Sequence, residues 1–568
     1  MPMDTFFTSS LVLAGLEKLP QGERVFQIVQ RHVAARSGAL VQKQEQDKDG
    51  SSLTLSLSLD AQHGPESFCL VFGDNQTTLS AGDQMGLMHG LGHFLRTCRF
   101  EESGLHTPRA LIKEERCETP AIRGIYFASH FHNYYHDAPV EEINQYVEDL
   151  ALWGMNTLQV WFDMHHYTGI QDPAAQAMIE RLRAILTAAK AIGVRVALVQ
   201  LGNEAYADSP EEMRADFRTG RAVYDVELCP NKSGATELML QWHDEVLQAF
   251  VEVSPDYLVF GPYDQGGCAC EQCKPWGANG YLKIVEAKAR HTRLRFPQVK
   301  IVLSTWLYDY GKDQGEWSGL AQAFRVKPDW CDYIQADSHT TFPTFPLEQG
   351  VPGSLPLLNF PEISMWGMYP WGGFGANPLA KRFAGLFERV KTHISGGFTY
   401  SEGIYEDLNK VLWLQWYGDP QLSAESILRE YIAYEFSPDV EEEVLEAVAI
   451  LEENHNHYWM INQYFQRSAR IAMEFPGDAH LALQKMQNAN EKLSDATKAS
   501  WRWRILYLRA LIDAQLEPTQ GFWGNELCER ALEELTEIYH AQNAEYKCAP
   551  PTVASIAAMR SSEIHVTN

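Results

Sequence analysis

Between residues 120 and 405 the chain repeats one pattern, a short apolar run followed by a stretch with apolar residues at three- and four-residue spacing. Eight such runs occur. They are Arg123-Gly-Ile-Tyr-Phe-Ala-Ser-His130, Thr157-Leu-Gln-Val-Trp-Phe-Asp163, Val194-Arg-Val-Ala-Leu-Val-Gln200, Tyr257-Leu-Val-Phe-Gly-Pro-Tyr263, Lys300-Ile-Val-Leu-Ser-Thr-Trp306, Asp332-Tyr-Ile-Gln-Ala-Asp337, Leu355-Pro-Leu-Leu-Asn-Phe360 and Gly396-Gly-Phe-Thr-Tyr-Ser-Glu402. Runs this apolar on both faces are strands of a parallel sheet covered by helices, and eight of them in alternation predict an α/β fold, a (β/α)8 TIM barrel over residues 119–420.

The flanks read differently. In residues 1–118, Ser52-Leu-Thr-Leu-Ser-Leu-Ser-Leu59 alternates strictly and Ser67-Phe-Cys-Leu-Val-Phe72 is a second strand. A helix over 81–95, with Met85, Met88, Leu91 and Leu95 on one face, completes a small N-terminal α/β domain. After residue 420 strand signals stop. Residues 424–435, 440–454, 481–514 and 525–541 carry helical periodicity and predict a helical C-terminal domain over 421–568.

Charge then limits the partners. A net charge of -27 repels phosphate backbones and anionic lipid, so no nucleic acid or membrane surface is expected to bind. No apolar run reaches the ~20 residues needed to span a bilayer. The apolar patch near residue 10 follows no Lys or Arg, which makes a poor signal peptide and favours a cytoplasmic location. The helical C-terminal domain is a candidate surface for a homo-oligomer.

The ten cysteines do not form the regular framework of a secreted disulfide protein. Cys268-Ala-Cys270-Glu-Gln-Cys273 places three thiols directly after the fourth strand, and Cys229 lies on the preceding barrel loop. Two expectations stand side by side: free buried thiols, or a structural zinc with these four as ligands. No catalytic cofactor is expected.

Active sites of this fold lie at the carboxyl ends of the strands. There the sequence gathers Asp163, Glu204, Asp264, Asp337, Glu362, Glu402 and Glu406, with Tyr126, His130, Tyr134, Trp161, Tyr263, Trp306, Trp366, Tyr400 and Tyr405 among them. Aromatic faces stack on sugar rings, acids and amides bind hydroxyls, and glycoside cleavage needs an acid plus a group that stabilises an oxocarbenium-like centre. A carbohydrate substrate is therefore expected. The Gly- and Trp-rich segment 365–377 is expected to form an aromatic wall over a sugar subsite.

Arg123-Gly-Ile-Tyr-Phe-Ala-Ser-His-Phe-His132, Trp153-Gly-Met-Asn156 and Gly86-Leu-Met-His-Gly-Leu-Gly-His-Phe-Leu95 resemble the family 20 β-N-acetylhexosaminidases. The resemblance implies that Arg123 holds sugar hydroxyls and that Tyr400-Ser401-Glu402 contacts the sugar. In that family an Asp-Glu pair follows strand four, where this chain has Asp264-Gln265, and glutamine cannot donate a proton as an acid. The three-part layout also resembles the family 67 α-glucuronidases, whose carboxylates on strands four, six and seven correspond to Asp264, Asp337 and Glu362. These comparisons give Asp264, Glu402 and Glu362 as the catalytic candidates. The substrate-binding candidates are Arg123, His130, His132, Asp163, Tyr263, Gln265, Trp306, Asp337, Trp366, Tyr400 and Glu406.

The expected activity is glycoside hydrolysis, on an N-acetylhexosaminide or uronide-type glycan. Two rivals remain. His130-Phe-His132 is similar to the His-x-His of amidohydrolase barrels and would suit a metal-dependent hydrolase, with His339 and Asp264 as further ligands. Gln265 would equally suit a sugar-binding protein that has lost catalysis.

Overall fold

The computed structural model describes residues 5–44, 52–109, 112–116, 121–130, 133–216, 224–263, 266–308, 315–338, 341–364, 370–372, 375–455, 475–520 and 525–541. The N-terminal strands are β1 (Thr5–Thr8), β2 (Ser10–Ala14), β3 (Leu40–Lys43), β4 (Leu53–Leu59), β5 (Phe68–Phe72), β6 (Gln76–Ala81), β7 (Arg99–Glu101), β8 (Gly104–Pro108) and β9 (Ile112–Arg116). Six of them form a sheet in the order β3-β2-β4-β6-β5-β9, and β1-β8-β7 form a small antiparallel sheet. The alternation in β4 sends Leu53, Leu55 and Leu57 into the core. Helix Gln84–Thr97 buries Met85, Met88, Leu91 and Leu95 as its periodicity requires. On the barrel side its Gly92 packs so tightly that a Cβ there would sit 1.9 Å from the Leu152 carbonyl oxygen.

All eight expected barrel strands form and close in chain order: β10 (Ile122–Phe127), β11 (Thr157–Trp161), β12 (Arg195–Leu201), β13 (Tyr257–Gly261), β14 (Lys300–Ser304), β15 (Tyr333–Ser338), β16 (Leu357–Pro361) and β17 (Ile394–Ser401). Every neighbouring pair is parallel. Several strands end earlier than the apolar runs suggested, because the residues able to do chemistry belong to the loops that follow.

Strand alternation sorts side chains into a lumen set and an outer set. Ile122 and Tyr126 of β10, Trp161 of β11, Val199 and Leu201 of β12, Tyr257 and Val259 of β13, Val302 of β14, Leu358 of β16, and Phe398 and Tyr400 of β17 form one interior cluster. Ile125 and Phe127 face outward into the larger core that joins the barrel to its helices and to the N-terminal domain.

The C-terminal region is helical, but residues 481–514 are not one helix. They divide among Ala479–Lys492, Asp495–Ala499 and Trp501–Leu516, because the side chains of Ser494 and Ser500 cap the N–H groups of Thr497 and Trp503 and start new helices there. Asp149, on barrel helix Val140–Leu152, joins the three parts: it pairs with Arg31 at 2.7 Å and His32 at 3.0 Å from the N-terminal domain, and with Arg502 at 2.9 Å from the C-terminal helices. No helix among the described residues is long and apolar enough to cross a membrane.

Candidate active site

The lumen phase of each strand decides what arrives at the C-terminal face. Counting in twos, β11 leads from Trp161 to Asp163, β14 from Val302 to Trp306, β15 from Tyr333 to Asp337, β16 from Phe360 to Glu362, and β17 from Tyr400 to Glu402. The pairing of β16 and β17 continues to the level of these acids, where Glu362 bridges Tyr400. Inward-facing aromatics lie beneath them. Tyr126 and Tyr400 meet edge to face at 5.3 Å, Phe360 lies 6.0 Å from Tyr126 and 5.8 Å from Tyr400, and Trp306 stands 5.9 Å from Phe360. The result is an aromatic floor across β10, β14, β16 and β17, with carboxylates at its rim.

Glu402 is fully buried, and the Tyr400 hydroxyl donates to its Oε1 at 3.1 Å. Its backbone is held from both sides: Glu402 N–H donates to Ser364 Oγ at 2.8 Å, and the Tyr539 hydroxyl donates to its carbonyl at 2.5 Å. Tyr539 stacks on Tyr405 at 4.6 Å, so the C-terminal helices support this strand end directly.

His130 is buried between Tyr126 and Trp161, 3.2 Å from the Tyr126 hydroxyl through Nδ1 and 4.5 Å from the Trp161 ring. Burial, with His166 and His165 nearby, holds its imidazole well below the usual range and therefore neutral. Asp163 binds His165 Nδ1 at 2.5 Å and His166 Nε2 at 3.5 Å. Beside it Glu204 accepts N–H groups from Trp161, Met164 and Leu201. Burial and the Asp163 charge push the Glu204 carboxyl up to about 7. Burial lowers the facing Lys288 to about 8, and Glu204 partly offsets that shift.

Tyr263 is also buried, its hydroxyl donating to Glu316, which in turn accepts the Gly277 N–H at 3.2 Å. Asp264, Gln265, His132 and Trp366 lie outside the described residues. His165, His166, Glu316 and Tyr539 were missed by the sequence reading. The two histidines follow Asp163 almost directly and were legible there, whereas Glu316 and Tyr539 carry no local signal.

Three expectations are corrected. Arg123 does not face a sugar at the C-terminal face, because it is out of phase with Ile122 and Tyr126 and sits three residues, about 10 Å, below the latter. It points outward, donating to Glu66 at 2.7 Å and to the Gly154 carbonyl at 2.7 Å. Glu406 is a brace: its Oε1 accepts from Ser364 at 2.9 Å, Ser401 at 2.6 Å, and the N–H groups of Glu402 and Gly403 at 3.0 Å each. Trp371, the described tryptophan of the aromatic loop, turns away from the mouth and donates to Asp513 of the C-terminal helices at 2.7 Å.

The four thiols expected to cluster do so: one sulfur from each of Cys229, Cys268, Cys270 and Cys273 lies within 4.8 Å of the others. Among the described residues, the other group of this kind is Asp163, His165 and His166. His130 belongs to neither group, and the other ligands of the amidohydrolase reading, His132, His339 and Asp264, lie outside the described residues.

No family model matches the chain, and no curated protein matches its sequence. Solved structures do match. A family 115 4-O-methyl-α-glucuronidase with specificity for decorated arabinogalactans aligns with a TM-score of 0.63 at 11% identity, covering 98% of this chain and 80% of its own. A family 89 glycoside hydrolase from Clostridium perfringens, in complex with PUGNAc, gives 0.59 at 12% identity, covering 92% of this chain and 65% of its own. A family 20 exo-β-N-acetylglucosaminidase from Vibrio harveyi gives 0.53 at 12% identity, with 76% of this chain and 74% of its own covered. At such identities the likeness is one of fold, and the distant resemblance to family 20 holds at that level: the chain shares a (β/α)8 barrel architecture with these glycoside hydrolases.

Proposed function

We propose that the protein is a glycoside hydrolase acting on an N-acetylhexosaminide or a uronide-type glycan. The observation that carries this reading is the aromatic floor of Tyr126, Trp306, Phe360 and Tyr400 at the C-terminal end of the lumen, with Glu362, Glu402 and Asp337 in the same inward phase above it. Such a floor accepts the apolar face of a pyranose, and the rim offers carboxylates to its hydroxyls and its glycosidic oxygen. The three structural neighbours are named for N-acetylglucosaminide, glucuronide and general glycoside chemistry, which supports this substrate range.

In this reading Asp264, Glu402 and Glu362 carry the chemistry. Glu402 receives a hydrogen bond from Tyr400, which fixes the direction of its carboxyl group. Glu204 is occupied by three N–H donors and shapes the loop rather than reaching a leaving group. His130, neutral and wedged against Trp161, is suited to hydrogen-bonding a sugar hydroxyl.

The test is release of nitrophenol from α- and β-linked aryl N-acetylhexosaminides, uronides and neutral hexosides by wild type and Asp264→Asn. Turnover of one class, lost in a folded Asp264→Asn protein, supports the proposal. Sugar binding by calorimetry, without turnover on these or on oligosaccharides, would overturn it in favour of the binding protein that Gln265 suggests.

A further inference from the structure

Two loops on the C-terminal face converge on sulfur. The chain after β12 brings in Cys229, and the chain after β13 brings in Cys268, Cys270 and Cys273. All four are free thiols; three are buried and Cys270 is half-buried. Cys229 Sγ lies 3.8 Å from the sulfurs of both Cys270 and Cys273. A disulfide requires ~2.05 Å. A tetrahedron with sulfur ~2.3 Å from a central ion has edges of about 3.8 Å, the spacing of Cys229 from both Cys270 and Cys273.

The surroundings suit a cluster of thiolates. The Asp216 N–H points at Cys268 Sγ at 3.4 Å, and the Asn231 side-chain amide donates to Cys273 Sγ at 3.1 Å. Lys283 donates to the Asn231 side-chain oxygen at 2.7 Å and to the Pro230 carbonyl at 3.0 Å, which brings a cation to the edge of the group. Asn203 ties the same loops together at the residues next to two of the cysteines: its amide donates to Leu228 O at 2.8 Å and to Gly267 O at 3.0 Å, and its oxygen accepts the Gly267 N–H at 2.9 Å. Partners of this kind orient metal ligands and disperse their charge.

We propose that Cys229, Cys268, Cys270 and Cys273 bind one structural zinc ion. Four thiolates close the coordination shell, so the ion takes no substrate and cross-links the two loops. Three soft ligands from one short segment and one from the neighbouring loop set where the chain leaves the barrel mouth after β13. Without the ion the loops would be joined by hydrogen bonds such as those of Asn203 and the Ala269 N–H to Asp216 O bond of 2.7 Å. The proposal stands whether or not the chain is a glycosidase.

Metal analysis of the full chain, purified without added metal, is expected to give one zinc per chain. A mercurial reagent should release that zinc, and cobalt substitution should give the visible bands of a tetrahedral thiolate site. Cys270→Ser, at the half-exposed corner, and Cys229→Ser are expected to lower zinc content and the unfolding temperature together. Because either variant could fail to fold, thiols are also counted on wild type in denaturant without reductant, where all ten cysteines should titrate. Iron in place of zinc, absence of metal, fewer than ten thiols, or zinc retained in folded Cys229→Ser,Cys273→Ser would each overturn the proposal.

Discussion

The two ends of the barrel use the same residue types in opposite ways. At the N-terminal end a single carboxylate, Glu66, is shared by Arg123 at 2.7 Å and Arg195 at 2.6 Å, with the Asn156 amide at 2.9 Å. Burial pushes its carboxyl up, but Arg123 and Arg195 outweigh that and hold it below the usual range. At the C-terminal end the ratio reverses: Asp163 and Glu204 crowd together with Lys288 as the nearby cation, and Glu204 rises to about 7. Around Glu66 two cations face one acid, whereas around Glu204 two acids face one lysine. The lesson is that a charged residue on a barrel strand takes its role from its end and its phase, with stability concentrated at one face and chemistry at the other.

The largest effect that would test this division is on rate. Glu402→Gln keeps an acceptor for the Tyr400 hydroxyl and the shape of the strand end, yet removes a titratable group from the mouth. On the proposed function we expect kcat to fall by about 10²–10⁴, the usual share of general acid–base catalysis, with the unfolding temperature near that of wild type. A fall in stability with unchanged kcat would place Glu402 with the structural acids instead.

At the other end the expected effect is on stability. Glu66→Gln removes the buried carboxylate charge that Arg123 and Arg195 share, and breaking one side of such a buried pair costs about 3–5 kcal/mol. Glu66 also adopts a left-handed backbone, φ 60°, secured by its N–H to Asp83 at 3.1 Å. Urea unfolding should show the loss, while kcat measured on the folded fraction stays unchanged. A large change in kcat would mean that the two ends are coupled.

Much of this arrangement was legible in the sequence, and each error has its own physical cause. The eight apolar runs are readable because a strand buried on both faces has no polar alternation to hide it. The thiol group is readable because three of its members are neighbours. Arg123 was misplaced by matching a motif rather than counting in twos from Tyr126, since parity alone puts it outside the lumen. Glu402 and Glu406 could not be separated by pattern: both follow the same strand, and only the turn between strand and helix aims one at the mouth and folds the other back onto the N–H groups of Glu402 and Gly403. Trp371 departs from the aromatic wall expected of segment 365–377 because the sequence does not show that the distant Asp513 would take its indole N–H.

The pH dependence of stability should separate the ends by sign. Glu204 is raised in the folded state to about 7, against ~4.3 in an unfolded chain. Its contribution is therefore fully present below ~4.3 and is lost as pH rises through about 7, by about 3–4 kcal/mol. Glu204→Gln should flatten the decline between pH 5 and pH 7 in thermal unfolding. A slope unchanged by the substitution would show that this carboxyl does not hold its proton near neutrality.

Glu66 gives the opposite and smallest slope. Its folded value is depressed, so its stabilisation is present above the unfolded value of ~4.3 and is lost as pH falls through the folded one. Arg195→Ala removes the outer of its two cations, a side chain 33% exposed, and leaves Arg123 and Asn156 in place. Solvent weakens the Arg195 pair, so the expected loss is about 0.5–1 kcal/mol near neutral pH. That loss should shrink as Glu66 becomes protonated in both proteins, so unfolding curves of wild type and Arg195→Ala should converge as pH falls through the depressed folded value of Glu66. Curves that stay parallel across the whole range would assign the effect of Arg195 to the packing of its aliphatic stem against the sheet rather than to its charge.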